Sequence, residues 1–134
     1  MKKVNLIEGI GKVYMARLNE LGIRTVEDLL DRCRTKQDRH RLAEESGFTD
    51  DQILTWANHA DLFRINGVAG QYADLLEAAG VSTVPEMAMR NAENLTERIR
   101  QINEEKHLVR VVPSLRMVKK WIAEAKGLPR NLQY

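Results

Sequence analysis

The stretch from Ile7 to Lys12, which we term the first hairpin, has the residue types of an anion-binding turn. Gly9 and Gly11 can adopt a positive φ at little steric cost, and they carry no side chain that would cover the backbone N–H groups. A helix is predicted to begin directly after them, and the first N–H groups of a helix have no partner within it. A phosphate could therefore be held by Gly9, Ile10, Gly11 and Lys12. The alternative interpretation is that the first hairpin only connects two helices and binds no anion.

Catalytic and metal-binding patterns are weak in this sequence. His40, His59 and His107 are scattered, without the spacing of metal ligands. Cys33 and His40 could form a nucleophile pair, but they fall on different predicted helices and no third group is evident to orient them. Schiff-base chemistry would need a desolvated lysine, and nothing in the sequence indicates one. We therefore expect no enzymatic activity, no cofactor and no metal ion.

Two clusters of basic residues could support binding to a polyanion. The formal net charge is only +2, so the distribution of charge matters more than the total. Within residues 106–130, seven Lys and Arg residues stand against a single acid, Glu124. The basic residues expected to support the hairpin form two clusters. The first basic cluster comprises Arg32, Arg34, Lys36, Arg39 and Arg41, and the second comprises Arg110, Arg116, Lys119 and Lys120. Solvated helix faces often have the same composition, so an ordinary surface role remains the alternative for each cluster.

An internal repeat organises the chain. A shift of 58 residues aligns the first hairpin with residues 65–70, which we term the second hairpin. The identical pairs fall on turn glycines, helix caps and apolar positions, and they include Gly9/Gly67, Tyr14/Tyr72, Leu18/Leu76, Gly22/Gly80, Thr25/Thr83 and Arg32/Arg90. We therefore interpret the chain as two copies of one helical unit, residues 1–64 and residues 65–134.

Helical periodicity and cap residues predict the elements of both copies. The predicted helices cover about 12–21, 36–46, 49–62, 94–105 and 114–127, and two more begin at Thr25 and Thr83. The second copy is seven residues longer around 106–113, where we expect an extended connection. Trp56 and Trp121 occupy equivalent places on apolar helical stripes, so both are expected in the core. No segment alternates with a period of two, and the predicted fold class is all-α.

The hairpin and the motif that follows it resemble the helix-hairpin-helix superfamily. Residues 22–30 match the pattern GIxTxxDLL, which looks like the subgroup found in recombinase amino-terminal domains and in the carboxy-terminal domain of the RNA polymerase α subunit. Over nearly the whole chain, the doubled pattern is similar to a bacterial family of tandem helix-hairpin-helix proteins of unknown function. The resemblance implies two tandem repeats of about four to five short helices each, packed as one compact, SAM-domain-like body.

This resemblance also implies a function. Helix-hairpin-helix proteins bind DNA without sequence preference, through hairpin backbone amides that contact phosphates and a basic residue beside the hairpin. Carried over to this chain, the resemblance names Gly9, Ile10, Gly11 and Lys12. In the second hairpin an alanine replaces the second glycine, and no cation stands where Lys12 stands. The weaker site expected there comprises Gly67, Val68, Ala69 and Gly70.

We therefore expect a non-catalytic, sequence-independent DNA-binding module that contacts phosphates through the first hairpin. A cytoplasmic location is expected, because the chain lacks a long apolar run and a signal-peptide core and has a single cysteine. The alternative is a protein–protein interaction or scaffold module that binds no nucleic acid. The near-neutral charge and the altered second hairpin favour this alternative.

Overall fold

The computed structural model describes residues 2–68 and 70–134, which form eight α-helices and one short 3-10 helix. No β-strand occurs within these two ranges, where a single isolated bridge pairs Lys3 with Thr25. The predicted all-α fold class is confirmed. None of the helices in the described part of the chain is long and apolar enough to cross a membrane.

The chain divides into two compact units. Unit 1 contains the residues up to Asp61 together with Arg130–Tyr134, and unit 2 contains Leu62–Pro129. Both ends of the described chain therefore lie in unit 1, and the segment between them forms unit 2.

Unit 1 is built from a 3-10 helix and four α-helices, the last of which ends with the first residue of unit 2. Their bounds are Val4–Leu6 for the 3-10 helix, Lys12–Glu20 for α1, Val26–Arg32 for α2, Lys36–Ser46 for α3 and Asp50–Leu62 for α4. At the start of α2, Thr25 Oγ1 accepts the N–H of Asp28, and the Asp28 carboxylate accepts the N–H of Thr25. Thr35 and Asp38 repeat this reciprocal capping at the start of α3. These local caps explain why the helix starts could be predicted closely.

Unit 2 contains the other four helices. Their bounds are Gln71–Ala78 for α5, Val84–Ala88 for α6, Ala92–Lys106 for α7 and Leu115–Gly127 for α8. Thr83, Asn91 and Ser114 cap α6, α7 and α8 with their side chains. The connection between α7 and α8 contains neither helix nor strand, as predicted. Buried Asn103 holds it, because its side-chain amide both donates to Val109 O (3.1 Å) and accepts from Val109 N (3.0 Å).

The core of each unit consists of the apolar faces that the sequence predicts. Trp56 and Trp121 are both only 4% exposed, which confirms their expected burial. One polar contact also recurs at the 58-residue shift. The Arg32 guanidinium donates to Leu21 O (3.0 Å) in unit 1, and the Arg90 guanidinium donates to Ala79 O (3.2 Å) in unit 2. Each arginine satisfies a carbonyl at the end of the helix after the hairpin, where helix carbonyls lack partners.

The last five residues pack onto unit 1, a feature that the sequence analysis does not predict. Leu132 is 2% exposed, and the N–H of Gln133 donates to Arg34 O (2.7 Å). The Tyr134 hydroxyl donates to Asn58 Oδ1 (2.8 Å), while the Arg39 guanidinium lies 5.4 Å from the centre of the Tyr134 ring. The tail therefore contributes both an apolar anchor and polar contacts to unit 1.

We expect Leu132→Ala to lower the free energy of unfolding by about 3 kcal/mol, because it removes a fully buried side chain. Urea unfolding followed by circular dichroism measures this change. The matched control is Gln133→Ala, which trims an exposed neighbour and keeps the backbone N–H that binds Arg34 O. Equal stabilities of the two variants would contradict the anchoring role of Leu132.

Candidate nucleic-acid interface

The first hairpin follows the 3-10 helix and leads into α1. Its turn is closed by the N–H of Ile10, which donates to Ile7 O (3.2 Å), and both isoleucine side chains are buried. Gly9 has a φ of 91°, in the left-handed region that favours glycine. Gly9 and Gly11 are exposed. The apolar side chains therefore anchor the turn while its glycine backbone faces solvent.

The N-terminus of α1 is left open by the residue that precedes it. Gly11 is the N-cap and has no side chain to bind the first-turn amides. Among the described residues, no acceptor receives the N–H groups of Gly11, Lys12 and Val13. Lys12 is exposed, and the first turn contains no acid. Open amides, the positive end of the helix dipole and an adjacent lysine are the chemical requirements of a phosphate site. The amide of Ile10, by contrast, is already used within the turn.

An aromatic cluster supports the first hairpin from α4. The ring centroid of Trp56 lies 5.6 Å from that of Tyr14 and 5.1 Å from that of Phe48. Trp56 Nε1 lies 3.7 Å from the position that a β-carbon on Gly9 would occupy. The sequence analysis places Trp56 in the core correctly, but it does not predict this contact with the hairpin glycine. The recurrence of a tryptophan in both copies was the available signal.

The second hairpin repeats the backbone of the first. Gly67 has a φ of 88°, and the N–H of Val68 donates to Ile65 O (3.1 Å). Trp121 Nε1 lies 3.3 Å from a hypothetical β-carbon on Gly67. Gly70 is the N-cap of α5, with a φ of 52°. Ala69, which the sequence analysis includes in the second site, lies outside the described residues.

The electrostatic surroundings of the second hairpin differ from those of the first. Glu124 Oε2 accepts a hydrogen bond of 2.7 Å from the N–H of Asn66, so a carboxylate of the protein already occupies a hairpin amide. The first turn of α5 also contains Asp74, whereas the first turn of α1 contains no acid. Lys120 of α8 lines the same depression as Asn66 and Gly67, which supplies a cation that is distant along the sequence. The second hairpin thus holds an internal anion.

Two arginines of the first basic cluster, Arg32 and Arg39, bind other groups of unit 1. Besides its bond to Leu21 O, the Arg32 guanidinium pairs with Glu45 (2.8 Å). Arg39 is 5% exposed and donates to Cys33 O (2.9 Å). These contacts give both arginines a structural role.

The other members of this cluster lie at the surface. Arg34 pairs with Asp31 at 2.9 Å, and Arg41 lies 4.0 Å from Asp38. Lys36 is exposed. Exposed ion pairs contribute little to stability and exchange readily with solvent, so these three cations remain able to interact with a polyanion.

Three of the four basic residues in the second cluster share one exposed face of α8. Arg116, Lys119 and Lys120 line a single depression. Lys119 also lies 3.7 Å from Glu93, with both side chains exposed. Arg110 is placed separately, in a depression formed partly by Tyr72. Unit 2 therefore presents a basic face on α8 and an isolated arginine in the connection before it.

The possible nucleophile pair of Cys33 and His40 does not have the environment of a reactive thiol. Burial raises the pKa of the Cys33 thiol to about 12, despite the opposing effects of Arg39 and Arg32. His40 is exposed and bonds Asp50, which with Glu44 raises the pKa of its imidazole above 6.5. Cys33 is therefore a neutral thiol at pH 7. No group of three or more His, Cys, Asp and Glu side chains within residues 2–68 and 70–134 is placed to hold a metal ion.

Cys33 is expected to react with a thiol reagent such as 5,5′-dithiobis(2-nitrobenzoate) far more slowly in the native protein than after denaturation. At neutral pH the thiolate fraction falls about 10³-fold when the pKa rises from 9.0 to about 12, and burial blocks access as well. Stopped-flow absorbance with and without denaturant measures both rates. Similar rates in the two states would contradict the buried, protonated thiol.

Gly9→Ala is expected to destabilise the protein by about 1–2 kcal/mol, because an alanine at a φ of 91° is strained. Gly11→Ala is the matched change within the same turn. It should cost less, at most about 1 kcal/mol from the poorer N-cap, since its φ of −88° suits any residue and no atom lies within 4 Å of the added carbon. Thermal or urea unfolding gives both values. A larger loss for Gly11→Ala would refute this description of the turn.

Comparison with known proteins identifies a family without an assigned activity. A family model described as "Domain of unknown function (DUF4332)" matches residues 8–128. No curated protein and no solved structure matches the chain. The matched range contains the first hairpin from residue 8 onward, the whole second hairpin and all of α8.

Proposed function

We propose that this chain, which belongs to the family described as a domain of unknown function (DUF4332), is a non-catalytic module that binds DNA without reading its sequence. The first hairpin makes the principal phosphate contact. The observation that carries the proposal is the open N-terminus of α1, with a glycine N-cap, no acid in the first turn and an exposed Lys12.

The proposal includes the fold assignment, in which the two units are tandem helix-hairpin-helix repeats. Its support is the recurrence of specific contacts at the 58-residue shift. These are the positive-φ glycines, the turn-closing amide bonds, the threonine caps and the arginine-to-carbonyl bonds. A repeated hairpin geometry with a repeated support helix is the arrangement that the resemblance implies.

Binding of this kind depends on backbone amides of the hairpin and on positively charged side chains. A phosphate oxygen accepts the N–H groups of Gly11 and Lys12, and the Lys12 ammonium adds a direct electrostatic attraction. Backbone amides contact phosphates and carry no information about base identity, so binding is independent of sequence. The surface cations Lys36 and Arg41 in unit 1 and Lys119 in unit 2 strengthen the attraction and make it depend on salt.

Protein–protein interaction is the second candidate function. It is favoured by apolar side chains that lie at the surface, since Val13 is 80% exposed, Val111 69% and Met89 86%. Val13 belongs to the first turn of α1, so a partner protein at this place would compete with the phosphate contact. The DNA-binding experiment therefore also tests this alternative.

We expect a short labelled DNA duplex to bind in fluorescence anisotropy, with an affinity that falls steeply as salt is raised. Lys12→Gln should weaken binding and reduce the slope of log K against log salt by about 0.9, the value for one phosphate contact. Lys106→Gln, at the end of α7, removes the same charge from a residue that belongs to neither hairpin and should leave the slope nearly unchanged.

Absence of binding at roughly 50 mM salt would reject the proposed function and leave protein interaction as the better candidate. Binding with equal slopes for Lys12→Gln and Lys106→Gln would keep DNA as the ligand but reject the first hairpin as its contact.

A further inference from the structure

We infer that the indole N–H of Trp56 is a further hydrogen-bond donor of the phosphate site at the first hairpin. Because the donor belongs to the site proposed above, this inference rests on the proposed function. It adds a side chain to a site that is otherwise formed by backbone amides and one lysine.

The position of the indole nitrogen supports this role. Trp56 is only 4% exposed, and its Nε1 lies 3.7 Å from where a β-carbon on Gly9 would be. This N–H makes no hydrogen bond to the other described residues, and Nε1 is not among the fully buried unpaired atoms, so the nitrogen is open to solvent although the rest of the ring is buried. The indole N–H can only donate, so an acceptor that reaches this place would be its partner. An anion held at the glycine backbone would supply that partner.

The neighbouring rings hold the indole in this orientation. Tyr14 and Phe48 contact Trp56 at centroid distances of 5.6 and 5.1 Å, and Tyr14 contacts Phe48 at 5.1 Å. Edge-to-face and tilted contacts of this kind fix ring planes. The N–H is therefore positioned before any ligand binds, and Gly9 keeps the space in front of it free of a side chain.

In the second unit, a carboxylate of the protein binds an amide of the hairpin beside the equivalent glycine. There the Glu124 carboxylate accepts the N–H of Asn66, beside a Gly67 whose hypothetical β-carbon is 3.3 Å from Trp121 Nε1. At the 65-residue shift that aligns the two tryptophans, the residue equivalent to Glu124 is His59. The support helix of the first unit therefore has no carboxylate at this position, and the one acid of the first hairpin, Glu8, is exposed, so the hairpin can accept an anion from outside the protein.

The two indole N–H groups should accordingly respond differently to phosphate. The chain has two tryptophans, so a ¹⁵N-labelled sample gives two indole signals in a heteronuclear NMR spectrum. Trp121→Phe assigns them. When inorganic phosphate is added to the wild-type protein, we expect the Trp56 indole proton to move downfield in a saturable manner. The Trp121 signal should stay in place, and a DNA duplex should reproduce the same selective shift.

A pair of variants tests the contribution to affinity. Trp56→Phe keeps an aromatic ring but loses the N–H, and it should weaken DNA binding roughly tenfold, the effect of one hydrogen bond to a charged group. Trp121→Phe makes the same change at the equivalent position of unit 2 and should leave DNA affinity unchanged. If Trp56→Phe does not fold, the wild-type titration alone decides.

The outcomes separate this inference from the proposed function. DNA binding without a shift of the Trp56 signal overturns the inference and leaves the proposed function intact, and equal shifts of both signals also overturn it. A selective Trp56 shift with phosphate but no DNA binding supports the anion site and rejects DNA as its ligand. Neither a shift nor DNA binding rejects both.

Discussion

The rest of each unit depends on a close contact between a hairpin glycine and a tryptophan. Gly9 and Gly67 have φ values of 91° and 88°, and a β-carbon at either position would lie 3.7 or 3.3 Å from an indole nitrogen. The left-handed turn favours glycine at both positions. At Gly67 the tight approach of the indole is a second reason, whereas the separation at Gly9 is an ordinary van der Waals contact. Since the apolar residues beside each glycine are buried, the backbone of the turn is displayed at the surface. The burial of these neighbours in the core thus leaves the backbone of the turn exposed.

Identical backbones do not make the two hairpins chemically equivalent. The first turn of α1 has an exposed lysine and no acid, whereas the first turn of α5 contains Asp74, and Glu124 binds the N–H of Asn66 in the second hairpin. The glycine, the tryptophan and the closing amide bond are present in both units, because packing requires them. Among the described residues, a lysine in the first helical turn and a turn without an acid occur together in the first unit. This difference separates the residues that serve the fold from those to which the proposed function assigns anion binding.

Local signals made much of the fold predictable, and distant contacts account for what was not predicted. Helix α3 is found at the predicted residues because a threonine cap and a terminal glycine mark both of its ends within the sequence. The packing of Leu132 onto unit 1 and the bond from Asn66 to Glu124 join residues that are far apart along the chain, and no local pattern announces them. The role of Arg32 could have been inferred, since the repeat places Arg90 at the equivalent position. A cation that recurs with the core residues is more simply explained by a shared structural contact than by a ligand.

Fewer cations of the first basic cluster are available at the surface than the sequence suggests. A count along the sequence treats every cation of residues 32–41 as available, but Arg39 is buried and Arg32 holds a helix end. The cations that remain are exposed and at most weakly paired, so they contribute a diffuse attraction that salt screens. Such a field brings a polyanion to the surface without fixing its position. In the proposed function, the first hairpin fixes that position, because its amides are directional, are held by the buried Ile7 and Ile10 and face solvent. In the proposed function, the dispersed charges provide affinity and the amides of the first hairpin fix the position of the ligand. Both contributions suit a ligand with regularly spaced phosphates, and neither requires a net charge above the +2 of this chain.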